Sequence, residues 1–135
     1  TPYTRNSKRV DELIHDYHNE NQTITNVSGE NLANLIELDK KDEIRKLLNR
    51  LLGEYKDEAD SLILGCTHYS LIKNQINEVF PNTVLLDGCL GVSREVKRQL
   101  EINNLLSNSE KIGNITIVNS KDKSLIERSF EILES

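Results

Sequence analysis

The sequence predicts an α/β fold built from parallel β-α-β units. Short apolar runs, such as residues 61–64 and 83–86, alternate with longer segments whose apolar residues recur at helical spacing. A glycine or a polar turn separates these runs from the helices that follow, as it does where a strand feeds a crossover helix. A core of Leu, Ile and Val, with aromatic residues at only 4%, suits such a sheet.

The elements follow in order. Ser7 can cap a helix running to His18, with Val10, Leu13, Ile14 and Tyr17 on one face. Residues 23–27, rich in β-branched side chains, predict a short strand that ends near Gly29. Residues 30–38 predict a helix. Residues 42–56 predict an amphipathic helix with Ile44, Leu47, Leu48, Leu51 and Leu52 toward the core. Residues 61–64 predict a buried parallel strand, and 69–80 a helix stopped by Pro81. A strand over 83–86 and a helix over 93–104 come next, then a polar loop over 105–114. A strand over 115–118 and a helix over 124–133 close the chain.

At 135 residues the chain has the length of one domain and enough surface to bury a core. Apolar residues make up a low 36%, which suggests that a packing partner is missing. The net charge of −5, from 22 acidic against 17 basic residues, argues against nucleic acid as a partner. No apolar run is long enough to cross a membrane. Two cysteines without a CxxC spacing suit a reducing compartment.

The chemistry concentrates in residues 62–71. An apolar run ends in Gly65, and Cys66, Thr67 and His68 follow, before a helical pattern begins. This grammar places Cys66 at the carboxyl end of a strand and the amino end of a helix, the edge where open α/β sheets bind ligands. Free N–H groups and partial positive charge there favour a thiolate and receive a carboxylate. His68 can supply or take a proton nearby. Cys66 is therefore expected to be the more reactive of the two thiols, although an isolated cysteine is often just a small buried hydrophobe.

Cys89 follows the next strand and could face the same crevice as an opposing base. Adjacent parallel strands would instead put both thiols on one side of a substrate, so a turn residue is the plainer reading. Asp87 caps that turn. His15 and His18, three residues apart, have no third ligand placed near them, and an exposed helix face accounts for them.

Residues 62–71 resemble the second cysteine motif of the glutamate racemase family, Leu-Gly-Cys-Thr-His-Tyr followed by Pro and Leu, with Ser70 in place of the Pro. Residues 84–88 resemble the family's next strand and its Asp-Ser-Gly turn, and 115–120 its last strand. Residues 1–7 resemble the Gly-Thr-x-x-Thr segment that opens its second domain. Leu35-Ile36-Glu37 resembles a Leu-Val-Glu segment, although Ser28-Gly29 stands where many members have Cys-Pro.

Such proteins consist of two mirrored α/β halves, each supplying one cysteine. The resemblance implies that residues 1–88 form the second domain, lacking a first strand before Thr1, and that 89–135 return to complete an absent first domain. The first half's N-terminal Asp-Ser/Gly turn, Pro-Tyr-Gly segment and Cys-Asn-Thr motif are missing, and the chain has no Met. It therefore reads as a C-terminal half, expected to be inactive in isolation.

The implied activity is cofactor-independent interconversion of L- and D-glutamate by two cysteine bases, supplying D-glutamate for peptidoglycan in a bacterial cytoplasm. Cys66 would be one base. Thr67 and His68 would bind substrate, with His68 also assisting proton transfer, and Thr1 and Thr4 would border the substrate carboxylate. Glu37 matches an acidic residue near the active-site entrance, though a solvated helix glutamate is the plainer reading. No cofactor or metal is implied. The implied partners are a small amino acid, the missing N-terminal half and a possible second copy, with neither nucleic acid nor membrane. An aspartate or hydantoin racemase, or a non-catalytic ligand-binding half, is the alternative.

Overall fold

A computed structural model of the chain describes residues 7–109, 113–118, 120 and 123–134, and the side chains of 123–125 and 134 are outside that description. The chain divides into two units, residues 1–90 and 91–135.

In the first unit, α1 (Lys8–Tyr17) starts where Ser7 accepts the N–H of Val10 at 3.4 Å on its side-chain oxygen. α2 (Leu32–Glu37) and α3 (Lys41–Leu52) follow, then a 3₁₀ turn at Gly53–Tyr55. β1 (Ser61–Ile63) leads through a second 3₁₀ turn, Thr67–Ile72, into α4 (Lys73–Val79) and then β2 (Val84–Leu86). β1 and β2 pair in parallel, with Leu62 opposite Leu85. The ladder extends past both strand ends, where Val84 N–H donates to Asp60 O at 2.9 Å and Leu64 N–H to Leu86 O at 2.7 Å. The fold is thus mixed helix and strand around a parallel β-α-β unit, compatible with the expected α/β class.

The core is a helix layer. α2 contributes Leu32 and Ile36, and α3 contributes Ile44, Leu47 and Leu48. Ile72, Ile76, Val79 and Phe80 form a helical stripe that reaches from the 3₁₀ turn through α4. Ile44, Leu48 and Ile76 are the largest fully buried side chains, each stabilising the fold by about 1.5–3 kcal/mol relative to exposure. α4 stops at Phe80, before Pro81, because proline disfavours helical geometry in the residue ahead of it. Thr83 is buried and satisfies its hydroxyl by donating to Ala59 O at 3.0 Å.

Several expected elements differ. Residues 23–27 and 115–118 pair with no strand among the described residues, and Ile115 and Val118 are exposed. β-branched composition favours an extended chain, but a strand exists only where a neighbour completes its hydrogen bonds. β1 and β2 are covered on one face only. Leu62 and Leu85 pack against the core, while Ile63, Val84 and Leu86 are exposed. The helix expected over 69–80 opens with a 3₁₀ turn, and the helix expected from residue 93 begins at Cys89 as α5 (Cys89–Ile102).

α5 continues into the second unit and buries none of its residues. α6 (Lys123–Glu134) half-buries Ile126 and Ile132, while Phe130 and Leu133 are exposed. Among the described residues, no helix is long and apolar enough to cross a membrane.

Candidate functional site

The site begins where β1 runs out. Leu64 is buried, and its N–H is tied to β2, so the chain leaves the sheet in a fixed direction. Cys66 remains extended, with φ −140° and ψ 138°, and caps the 3₁₀ turn by accepting the Tyr69 N–H at 3.0 Å on its carbonyl. A six-residue 3₁₀ turn carries much less aligned dipole than the α-helix start expected there. By contrast, Cys89 is the first residue of the fourteen-residue α5. The helix-start argument therefore does not single out Cys66.

The neighbouring side chains distinguish the thiols. Cys66 is half-buried, with its Sγ 3.7 Å from His68 Nδ1. His68 Nε2 lies 2.9 Å from Glu37 Oε1, at the end of α2. An ionised carboxylate only accepts hydrogen bonds, so Glu37 places the ring proton on Nε2 and leaves the Nδ1 lone pair toward the thiol. Cys66 can then pass its proton to Nδ1, and Glu37 balances the resulting imidazolium. Three residues from two elements thus form a series of thiol, imidazole and carboxylate, an arrangement that activates a thiol as a base or nucleophile.

Tyr69, on the same turn, packs against the core and against Gly29. Its ring lies so close to Gly29 that a Cβ there would sit 2.7 Å from Tyr69 Cζ, and closer still to the hydroxyl. Glycine admits this close approach to the backbone at the head of α2. Burial raises the Tyr69 phenol above its usual range, and negative charge on Cys66 adds to the effect.

Cys89 has other company. Its thiol donates to Ser70 Oγ at 3.6 Å, and its N–H donates to Asp87 Oδ1 at 3.1 Å. Asp87 thus caps the entry to α5 and also takes Ser70 Oγ–H and Lys73 Nζ on Oδ2, both at 2.7 Å. Thr67 is exposed, one residue from both Cys66 and His68. Thr1 and Thr4 lie outside the described residues. His15 and His18 make local contacts, to Asp16 and to the Gln22 carbonyl. Among the described residues, no group of three or more His, Cys, Asp or Glu is arranged to hold a metal.

A shallow cleft of about 240 Å³, lined by Thr25, Ser28, Glu30 and Tyr55 among others, contains none of the Cys66, His68 and Glu37 side chains. The candidate site is therefore placed by its reactive groups. The contact least visible in the sequence is that of Glu37, 31 positions from His68. Only a Leu-Ile-Glu tripeptide pointed to it.

The fold and site define a class, an α/β protein that presents a thiol–imidazole–carboxylate series at the carboxyl end of a parallel strand. Within that class the chain is a homologue of glutamate racemases. It is 36% identical over 137 residues to the glutamate racemase of Clostridium botulinum strain 657, a match covering 98% of this chain and 53% of that protein. The glutamate racemase of Clostridium perfringens is 34% identical over 139 residues, covering 99% and 53%. That of the Alaska strain of Clostridium botulinum is 35% identical over 140 residues, covering 100% and 54%. The chain spans about half the length of these curated relatives, consistent with a C-terminal half. No protein-family model matches the chain. No solved structure matches it.

Proposed function

We propose that this chain supplies one of the two proton-transfer faces of a cofactor-independent glutamate racemase. The observation that carries the reading is the Cys66–His68–Glu37 series, within a chain similar from end to end to proteins named glutamate racemase.

Inverting an α-carbon requires removing its proton from one face and delivering another to the opposite face, so two bases must flank the substrate. Cys66 serves one face as thiolate or thiol, according to the direction of reaction. His68 takes the thiol proton and returns it, and Glu37 holds the imidazole in the tautomer that allows this. Thr67, with His68, binds substrate polar groups beside the thiol, and Thr1 and Thr4 border its carboxylate. The second base comes from the remaining length of the racemase, absent from these residues. The reaction supplies D-glutamate for peptidoglycan, in the cytoplasm, and residues 1–88 and 89–135 contribute to separate domains of the whole enzyme. The names of the relatives favour glutamate over aspartate or a hydantoin.

The test is deuterium wash-in from each glutamate enantiomer, using the complete protein that carries this chain. Cys66→Ala is expected to abolish racemisation while leaving exchange from one enantiomer only, because the opposite base survives. Undiminished racemisation would remove Cys66 from the mechanism.

A further inference from the structure

We infer that Asp87 is a positioning residue for the Cys66–His68 pair, acting through Ser70 and Lys73. The inference rests on the proposed role of Cys66 and adds to it the device that sets its distance to His68.

The 3₁₀ turn that carries His68 is intrinsically weak, because such turns have poor hydrogen-bond geometry. Besides the His68–Glu37 and Cys89–Ser70 contacts, it is held from outside at further places. Tyr69 packs on Gly29, Ile72 enters the core, and Ser70 Oγ–H donates to Asp87 Oδ2 at 2.7 Å. Ser70 is two residues from His68 on the same turn. Lys73, the first residue of α4, places its ammonium 2.7 Å from the same carboxylate oxygen. The Cys89 N–H completes the set on Oδ1. The Asp87 side chain is only 9% exposed, so a carboxylate there persists because charge-assisted bonds replace its water.

Those bonds favour a structural reading of the cluster. Lys73 first, and then Ser70, hold the Asp87 carboxyl well below the usual carboxylate range. The bond to Asp87 holds the Lys73 ammonium above its usual range. Lys73 therefore stays charged and is no proton acceptor. What remains is a clamp. Asp87 directly follows β2, whose Leu86 carbonyl accepts the Leu64 N–H ahead of Cys66. One backbone segment thus fixes both the approach to the thiol and the turn that carries the imidazole. A small displacement of either changes the 3.7 Å separation between Sγ and Nδ1.

The experiment is iodoacetamide labelling of Cys66 against pH, read by peptide mass mapping on the complete protein that carries this chain. It compares the parent, Asp87→Asn, His68→Ala and the double variant. The ionisable groups around the thiol are His68, Tyr69 and, through His68, Glu37. Asp87→Asn is expected to slow Cys66 labelling near neutral pH by about threefold to tenfold, as coupled residues in one network do. It should move the pH profile toward that of His68→Ala and add less than about twofold in the His68→Ala background. Ser70→Ala, which leaves the ion pair in place, should shift the profile in the same direction by less. An unchanged profile, or a full effect that persists without His68, would overturn the inference. If Asp87→Asn unfolds, Ser70→Ala alone decides by the same criterion. Labelling needs no turnover, so loss of the racemase reading and loss of the clamp are separate outcomes.

Discussion

Cys66 and Cys89 are both placed at the start of a helical turn, so their difference comes from their neighbours. Cys66 faces an imidazole whose free lone pair is set by Glu37, while Cys89 bonds to a hydroxyl. His68→Ala should therefore slow alkylation of Cys66 by roughly tenfold and leave Cys89 unchanged, as mass mapping after a short iodoacetamide pulse would measure. Equal slowing of both would locate the effect in the fold. In the complete enzyme, Glu37→Gln should lower kcat by on the order of tenfold to a hundredfold, less than the ~10²–10⁴ that a general acid–base contributes. Gln keeps a hydrogen bond to Nε2 but does not balance an imidazolium. That Cys66 and His68 lie together was legible because the motif is contiguous. That Glu37 touches His68 was not, because only the packing of α2 beside the 3₁₀ turn brings the two together.

At the level of elements, periodicity succeeded where burial follows a stripe. Ile44, Leu47 and Leu48 lie where the spacing on α3 put them. Truncating the fully buried Ile76 to Ala should cost about 2–5 kcal/mol in a denaturant titration. Gly29→Ala should displace Tyr69, because the new methyl meets the ring, and the change should appear in tyrosine fluorescence. The joint between β2 and α5 depends on pH. The Asp87 carboxyl is lowered on folding, so its stabilisation is present above the ordinary carboxylate range and is lost as pH falls through and below that range. Asp87→Asn should therefore be less stable than the parent at neutral pH, with the gap closing in acid. A gap that is constant with pH would show that the carboxylate charge contributes nothing.

At the scale of the whole chain, apolar surface remains uncovered. Ile63 and Val118 are 73% and 88% exposed, and α5 buries nothing. Amide exchange should be slowest around Ile44, Leu48 and Ile76 and much faster in α5, because protection follows local burial. Uniform protection would contradict this. Purified alone, the 135-residue chain should not racemise glutamate in a polarimetric assay, because it covers about half of its relatives' length and, in the function proposed above, would supply one of two bases. Measurable turnover would revive Cys89 as the second base.

The sequence by itself determined the core-facing stripe of α3, the two strand segments expected at residues 61–64 and 83–86, and the Cys-Thr-His motif. All three depend on neighbours within a few residues, or on alternation that a periodic pattern records. Tertiary structure alone decided that residues 23–27 and 115–118 have no strand partner among the described residues, that a 3₁₀ turn follows Cys66, and that Glu37 and Asp87 reach that turn from afar. Strand pairing, the setting of that turn and ionic contacts are each completed by groups distant in sequence. No local pattern encodes which groups those will be.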